Sequence, residues 1–345
     1  DLLQAAQDFA NQGADLIDLG CTPNEQWSNV GDAVSALRDQ GLRVSIDSFD
    51  TTEVEKACRA GAEVVLSVNS QNKHVCKDWN VEVVAIPDTP EDKKSFEKTI
   101  DFLAIHSVSM RLDPILEPIG CGFVNSLARY IECRKQYPDA QMLMGIGNIT
   151  ELTDADSAGI NVLLLGICQE LGIQSILTTA VINWARSSVR ECHLARQLVH
   201  FACGNKIPPK HLEKNLVLLR DERLTELAPE SLEALAMQIR DKNIRINIQG
   251  GKIHAVSART HVSHEDPFQV MDMLLQSEVG PSINAAHAFY LGYEMAKAHT
   301  ANTLAKQYTQ DESLDWGFLT QEEKHHRLAR THRGERPSNK KTTDD

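Results

Sequence analysis

Two short stretches constrain this chain most: Arg43-Val44-Ser45-Ile46-Asp47-Ser48 and Ala62-Glu63-Val64-Val65-Leu66-Ser67-Val68-Asn69-Ser70. Each is an apolar, β-branched run that stops abruptly at polar side chains, the pattern of a buried strand. Between them, Thr51 to Gly61 has helical spacing, opens after Asp50 and stops at a glycine. Strand, helix and strand in so short a span make a parallel crossover unit. In parallel α/β folds the carboxyl ends of strands line the ligand site. Asp47 and Asn69, at the two strand ends, are therefore expected to face one bound molecule.

The same rhythm runs on both sides. Helices are expected over residues 1–12, 29–40, 91–105, 123–136, 154–172 and 184–203. Further strands are expected over residues 14–20, 81–86, 107–112, 141–148 and 173–179. That makes seven strands, and the chain opens in a helix. The expectation is an α/β fold, a (β/α)8 TIM barrel over residues 1–205 whose first strand lies upstream of Asp1, with an open doubly wound sheet as the competing arrangement. Residues 206–228, which include Lys206-Ile207-Pro208-Pro209-Lys210, are expected to be a linker. Residues 229–320 are expected to form a small α+β domain. It would contain a helix over Pro229 to Asp241, a hairpin around Gly250-Gly251, and helices over residues 266–275 and 286–308. Residues 321–345 are polar and basic and are expected to be a flexible tail.

Composition excludes several function classes. A net charge of −13 is wrong for a nucleic-acid surface, which needs clustered lysine and arginine. No apolar run approaches the roughly 18 residues that span a bilayer. The eight cysteines are scattered without a C-x-x-C pair, so they are expected to be reduced, packed thiols in a cytoplasmic protein. Histidines 261, 264, 287, 325, 326 and 332 form no H-x-x-x-H pair with a third ligand, so no metal site is expected.

Asp47, Asn69, Asp113 and Asn148 each close an apolar strand. Asp and Asn are common at such junctions for turn reasons alone, but four on one rim point to a ligand. Ionised carboxylates only accept hydrogen bonds, whereas asparagine donates and accepts. A heterocycle with an NH2 next to a ring N–H offers a carboxylate two parallel donors, as arginine does. A pterin has that edge, plus a carbonyl and ring nitrogens for asparagine. A sugar calls for aromatic platforms, and aromatic residues are only 5% of the chain. For a phosphate loop, Gly120-Cys121-Gly122 is the weak candidate.

Four segments carry a resemblance in order and spacing. They are Gly13-Ala14-Asp15-Leu16-Ile17-Asp18-Leu19-Gly20, Val44-Ser45-Ile46-Asp47-Ser48, Ala60-Gly61-Ala62 with Asn69, and Leu112-Asp113-Pro114 with Gly120-Cys121-Gly122-Phe123. Together they resemble the pterin-binding barrel family, which includes dihydropteroate synthases and the folate-binding domains of corrinoid methyltransferases. The resemblance implies that Asp47, Asn69 and Asp113 hold the pterin ring, with Asp113 on the amino-pyrimidine edge. It also implies a homodimer through the outer helices. Ala286-His287-Ala288-Phe289-Tyr290-Leu291-Gly292-Tyr293-Glu294 and Gln310-Asp311-Glu312-Ser313-Leu314-Asp315-Trp316-Gly317 further resemble the C-terminal part of dihydropteroate synthase-related proteins of tetrahydromethanopterin-type one-carbon metabolism.

The chain departs from ordinary synthases at two places. They carry Ser-Arg-Lys after the seventh strand, where this chain has Gly145-Ile146-Gly147-Asn148, closer to the methyltransferase branch. They carry Arg-x-His after the last strand, where this chain offers Arg186 and Arg190 without the histidine. The leading expectation is a transferase of folate or tetrahydromethanopterin biosynthesis. Asp47, Asp113 and Arg186 would be its catalytic residues, and Asn69, Asn148 and Arg190 would complete the binding set. Its substrates would be a hydroxymethyl-dihydropterin diphosphate and an arylamine, with magnesium as a companion of the diphosphate and no other cofactor. The rivals are pterin-dependent methyl transfer to a corrinoid, with Asn148 beside N5, and a non-catalytic pterin-binding protein.

Overall fold

The computed structural model describes residues 2–22, 25–221, 224–225, 239 and 243–323. The chain forms two compact units, residues 1–216 and 217–345.

The first unit is a seven-stranded parallel sheet whose strands are ordered in space as they are in sequence, β1 to β7. The strands are β1 (Ile17–Gly20), β2 (Val44–Asp47), β3 (Val64–Val68), β4 (Glu82–Ala85), β5 (Met110–Leu112), β6 (Gln141–Gly145) and β7 (Ser175–Leu177). The intervening helices are α1 (Leu2–Gln12), α2 (Val30–Asp39), α3 (Thr51–Arg59), α4 (Lys93–Ile105), α5 (Phe123–Gln136), the single turn α6 (Gly147–Thr150), α7 (Ser157–Leu171) and α8 (Ser188–Asn205). This is an incomplete TIM-like barrel: β1 and β7 each pair on one side only.

Strand alternation divides the side chains into two layers. Ile17, Leu19, Val44, Ile46, Val65, Val83, Leu112, Met142 and Met144 pack outward against the helices. Val64, Leu66, Val84 and Leu143, with Leu16, Ile86 and Leu177, fill the interior. The interior therefore has an apolar middle with polar residues around it.

One irregularity sets the aim of Asn69. Val65 pairs with Val83 and Val68 with Ala85, so β3 carries one residue more than β4 between these pairs. The extra residue is a bulge at Ser67, whose φ is +63°. Strict alternation from Val64 and Leu66 would turn Val68 inward. The bulge instead places Val68 in the outer core, and Asn69 follows it, buried.

In the second unit, β8 (Arg245–Gln249), β9 (Lys252–Val256) and β10 (His261–His264) form an antiparallel sheet in the order β10-β9-β8. Gly250 and Gly251, both at positive φ, make the expected β8–β9 turn. Helices α9 (Pro267–Gln276) and α10 (Ala285–Leu304) cover one face through Val270, Leu274, Leu291, Met295, Ala298 and Ala301. β10 was not expected, since its two histidines and serine carry little strand signal. α10 stops at Leu304 rather than at residue 308, because Ala305 turns left-handed with φ +52°. The expected helix over Pro229 to Asp241 falls outside the described residues save Ile239, and so does the tail beyond residue 323.

The motif on α10 has a structural use. Glu294 is buried and accepts from Tyr308 Oη at 2.8 Å and Lys297 Nζ at 3.0 Å. Tyr290 Oη donates to Asp311 at 2.8 Å, and Gln310 bonds Tyr290 at 2.8 Å. Lys306 is buried, pairs with Asp221 at 2.8 Å and lies 4.7 Å from the Trp316 ring centroid. These bonds tie α10 to the segment after it.

Ser67 gives a direct test of the bulge. A β-branched residue is strained at positive φ, by about 1–2 kcal/mol, whereas glycine is at ease there. Ser67→Val is expected to lower the stability of the first unit by that amount and Ser67→Gly to leave it nearly unchanged, as read by denaturant unfolding.

Candidate functional site

The carboxyl ends of β1 to β6 carry a set of acids and amides, each positioned by a different local device. Asp50, not Asp47, caps α3, accepting from the Thr52 amide at 2.7 Å. That leaves the Asp47 side chain without a hydrogen bond to any described residue. Glu53, on the first turn of α3, is buried and receives the Trp27 amide and the Ser48 hydroxyl, both at 2.5 Å. Burial pushes its carboxyl up, but Ser48, Trp27 and Cys21 together hold it below the usual glutamate range. Glu53 thus binds the loop after β1 to the turn after β2 and fixes the backbone next to Asp47.

Asn69 is buried, and its Oδ1 accepts the Gln71 amide at 3.0 Å. Asp113 is buried at the end of β5. Its Oδ1 takes both the Tyr130 hydroxyl at 2.5 Å and the Ile115 amide at 2.8 Å. No hydrogen bond from a described residue reaches its Oδ2. Desolvation pushes this carboxyl up to about 6, against the pull of Tyr130 and Ile115. The loop that follows is held in an uncommon conformation, with Ile115 at φ +66°. Arg129 braces it, donating to the Ile115 carbonyl at 3.1 Å and Glu117 at 2.7 Å. Gly122 is required at the loop's end: its φ is +127°, and a Cβ there would lie 2.6 Å from Glu117 Oε2. Asn148 is exposed and donates through Nδ2 to the Leu116 carbonyl at 2.8 Å, joining α6 to the same loop.

A cavity of about 1000 Å3 lies inside the unit, between the two sheet edges β1 and β7. Asp47 lines it; Asn69, Asp113, Asn148, Arg186 and Arg190 do not. Arg186 is exposed and Arg190 half-buried, on either side of the start of α8.

The cavity also holds a residue the sequence reading passed over. Asp18 on β1 lines it, and Ser45 Oγ donates to Asp18 Oδ1 at 2.6 Å. Desolvation pushes the Asp18 carboxyl up to about 6; Ser45 opposes the shift and Asp47 adds to it. Its sequence signals were its place in the Gly13 to Gly20 segment and alternation, since Ile17 and Leu19 are apolar and Asp18 between them faces the other side. Among the described residues no group of three or more His, Cys, Asp or Glu side chains is placed to hold a metal ion. No helix among them is long and apolar enough to cross a membrane.

Glu53 is the simplest element to test. Glu53→Gln removes an ionised acceptor from three donors and is expected to cost about 1–3 kcal/mol at pH 7, as read by thermal or denaturant unfolding. Because the folded-state carboxyl titrates below its unfolded value, this loss should shrink as pH falls toward and below the ordinary glutamate range.

Residues 1–102 match the family model described as pterin binding enzyme. The chain is 29% identical to an uncharacterized protein of Methanocaldococcus jannaschii, over 89% of this chain and 65% of that protein, so it spans about two thirds of that relative's length. Among solved structures, Yersinia pestis dihydropteroate synthase in a sulfonamide complex aligns with TM-score 0.48 and 18% identity, covering 59% of this chain and 85% of that one. Thermus thermophilus dihydropteroate synthase in complex with 4-aminobenzoate aligns with TM-score 0.45 and 17% identity, covering 59% and 89%. The segment that supplies Asp18, Asp47 and Asn69 is thus the part of the chain that matches the pterin-binding enzyme family.

Proposed function

We propose that the carboxyl ends of β2, β3, β5 and β6 bind a pterin and that the protein is a dihydropteroate synthase-like transferase. The observation that carries this is a pair of open acceptors at the same end of one parallel sheet. The Asp47 side chain has no partner among the described residues, and Asp113 Oδ2 is unengaged. An acid kept in an apolar setting at the cost of desolvation is characteristic of functional sites. In this reading Asp113 receives the amino-pyrimidine edge, and Asn69 and Asn148 read ring nitrogens and the carbonyl. The match of residues 1–102 to pterin binding enzymes supports it.

The reaction joins a hydroxymethyl-dihydropterin diphosphate to an arylamine. The exocyclic C–O bond breaks and diphosphate leaves. The resulting CH2 carbon carries cationic character, spread into the electron-rich dihydropterin and stabilised by the carboxylates. The arylamine nitrogen forms the new C–N bond and then loses its proton. Arg186 and Arg190 neutralise the departing diphosphate. Methyl transfer to a corrinoid is the second reading, favoured by Asn148 standing where synthases carry a lysine.

The test combines binding and turnover. The protein should release pyrophosphate from a hydroxymethyl-dihydropterin diphosphate and an arylamine. Corrinoid-dependent demethylation of a methylated reduced pterin, without pyrophosphate release, would favour the second reading instead. Asp113→Asn keeps an acceptor for Tyr130 and Ile115 but removes the charge, and should weaken dihydropterin binding by about 2–4 kcal/mol. Unchanged affinity would remove Asp113 from the site. Stability should move the other way. The Asp113 carboxyl holds its proton more tightly folded than unfolded, so its burial costs stability as pH rises from about 4 through about 6. Asp113→Asn should therefore stabilise the protein at pH 7.5 and have little effect near pH 4.

A further inference from the structure

We infer that Glu191 is the positioning residue that holds Arg186 and Arg190 in place at the start of α8. This rests on the reading above, in which those two arginines meet the diphosphate, and it names what sets their place.

Glu191 lies in the first turn of α8 and is buried. Three neutral side chains converge on its carboxyl group. Ser157, the first residue of α7, donates to Oε2 at 2.6 Å, and Asn161 Nδ2 donates to the same oxygen at 2.8 Å. Ser187 Oγ donates to Oε1 at 2.7 Å. Asn161 also donates to Ser188 at 3.0 Å, and its own Oδ1 is left without a partner. Ser157, Asn161 and Ser188 are themselves buried.

This hub sits directly beside the two arginines. Ser187 follows Arg186, and Arg190 precedes Glu191. Neither guanidinium makes a hydrogen bond or ion pair with a described residue. Their placement therefore comes from the backbone that carries them. The hub also ties that backbone to the rest of the unit. Thr178, just past β7, shares a hydrogen bond with Ser188 at 2.8 Å. Ser157 Oγ lies 3.1 Å from the Trp184 carbonyl, and Trp184 Nε1 donates to the Thr150 carbonyl of α6 at 3.0 Å.

A buried carboxyl group held by neutral donors alone is a costly way to join two helices, because an apolar side chain of similar size commonly serves stability as well. What the carboxyl adds is direction: its bonds fix the α8 start against α7 and the preceding loop. The sign of the effect on anion binding separates position from charge. A negative charge near two arginines opposes an anion, so deleting the charge alone tightens anion binding. Deleting the bonds that place the arginines loosens it.

The experiment is equilibrium titration of the whole chain with inorganic pyrophosphate, with 7,8-dihydropterin as the control ligand and thermal unfolding run on each variant. Glu191→Met removes both the charge and the bonds and should weaken pyrophosphate binding by about fivefold or more. Dihydropterin affinity should stay within about twofold, because Asn148 has its own anchor on the Leu116 carbonyl. Glu191→Gln removes the charge but keeps the shape: its oxygen can take Ser157 and Asn161, and its NH2 can donate to the Ser187 hydroxyl. That variant should bind pyrophosphate at least as tightly as wild type. Ser187→Ala deletes one bond to the hub and no capping bond, which guards against a folding defect in the methionine variant, and should weaken pyrophosphate binding by about threefold. Unchanged or tighter pyrophosphate binding in Glu191→Met or Ser187→Ala would overturn the inference. Parallel loss of dihydropterin and pyrophosphate affinity would overturn it too, since that marks a general structural role. Failure of wild type to bind pyrophosphate would remove the diphosphate role of the arginines and the inference with it, while dihydropterin binding by the same protein would leave the pterin reading standing.

Discussion

The first unit carries two carboxyl groups, a half-buried Asp18 and a buried Asp113, each supported by little more than one hydroxyl. Ser45 serves the first and Tyr130 the second, with the Ile115 amide added for Asp113. Desolvation outweighs these bonds, and both carboxyls rise to about 6. Glu53 is the contrast: it has enough donors to be held below its ordinary value. One acid strengthens the fold at neutral pH and two weaken it. Carboxyls of the weakening kind, at the carboxyl ends and interior of a parallel sheet, are the pattern that perturbed groups show at functional sites.

The rest of the unit supports that arrangement. Val64, Leu66, Val84 and Leu143 form the apolar layer of the interior. The bulge at Ser67 shifts the register just before Asn69, Glu53 fixes the chain beside Asp47, and Arg129 fixes the loop beside Asp113. These devices lie on separate strands and loops, so the site depends on sheet register more than on any one motif.

Much of this was legible in the sequence, and what was missed has physical causes. The seven strands and their order follow from apolar runs that end in polar side chains. β5 was drawn too long because Ser107 takes a left-handed turn, with φ +54°, before the strand can begin. β7 was drawn too long because it is an edge strand whose ends have no second partner. The Ser67 bulge left no trace, since serine in a strand reads as ordinary alternation. Asp18 was passed over because a polar residue between Ile17 and Leu19 looks solvent-facing; only the curvature of the sheet makes that side the interior. Asp47 lines the cavity, while Asn69, Asp113 and Asn148 do not.

In the pterin reading, one ligand engages β-strand ends far apart in sequence. Hydrogen–deuterium exchange with and without 7,8-dihydropterin tests that claim directly. Simultaneous protection at residues 46–49, 67–72 and 112–117, with residues 243–323 unchanged, is the predicted result. Protection confined to one of these segments, or found only within residues 243–323, would contradict it.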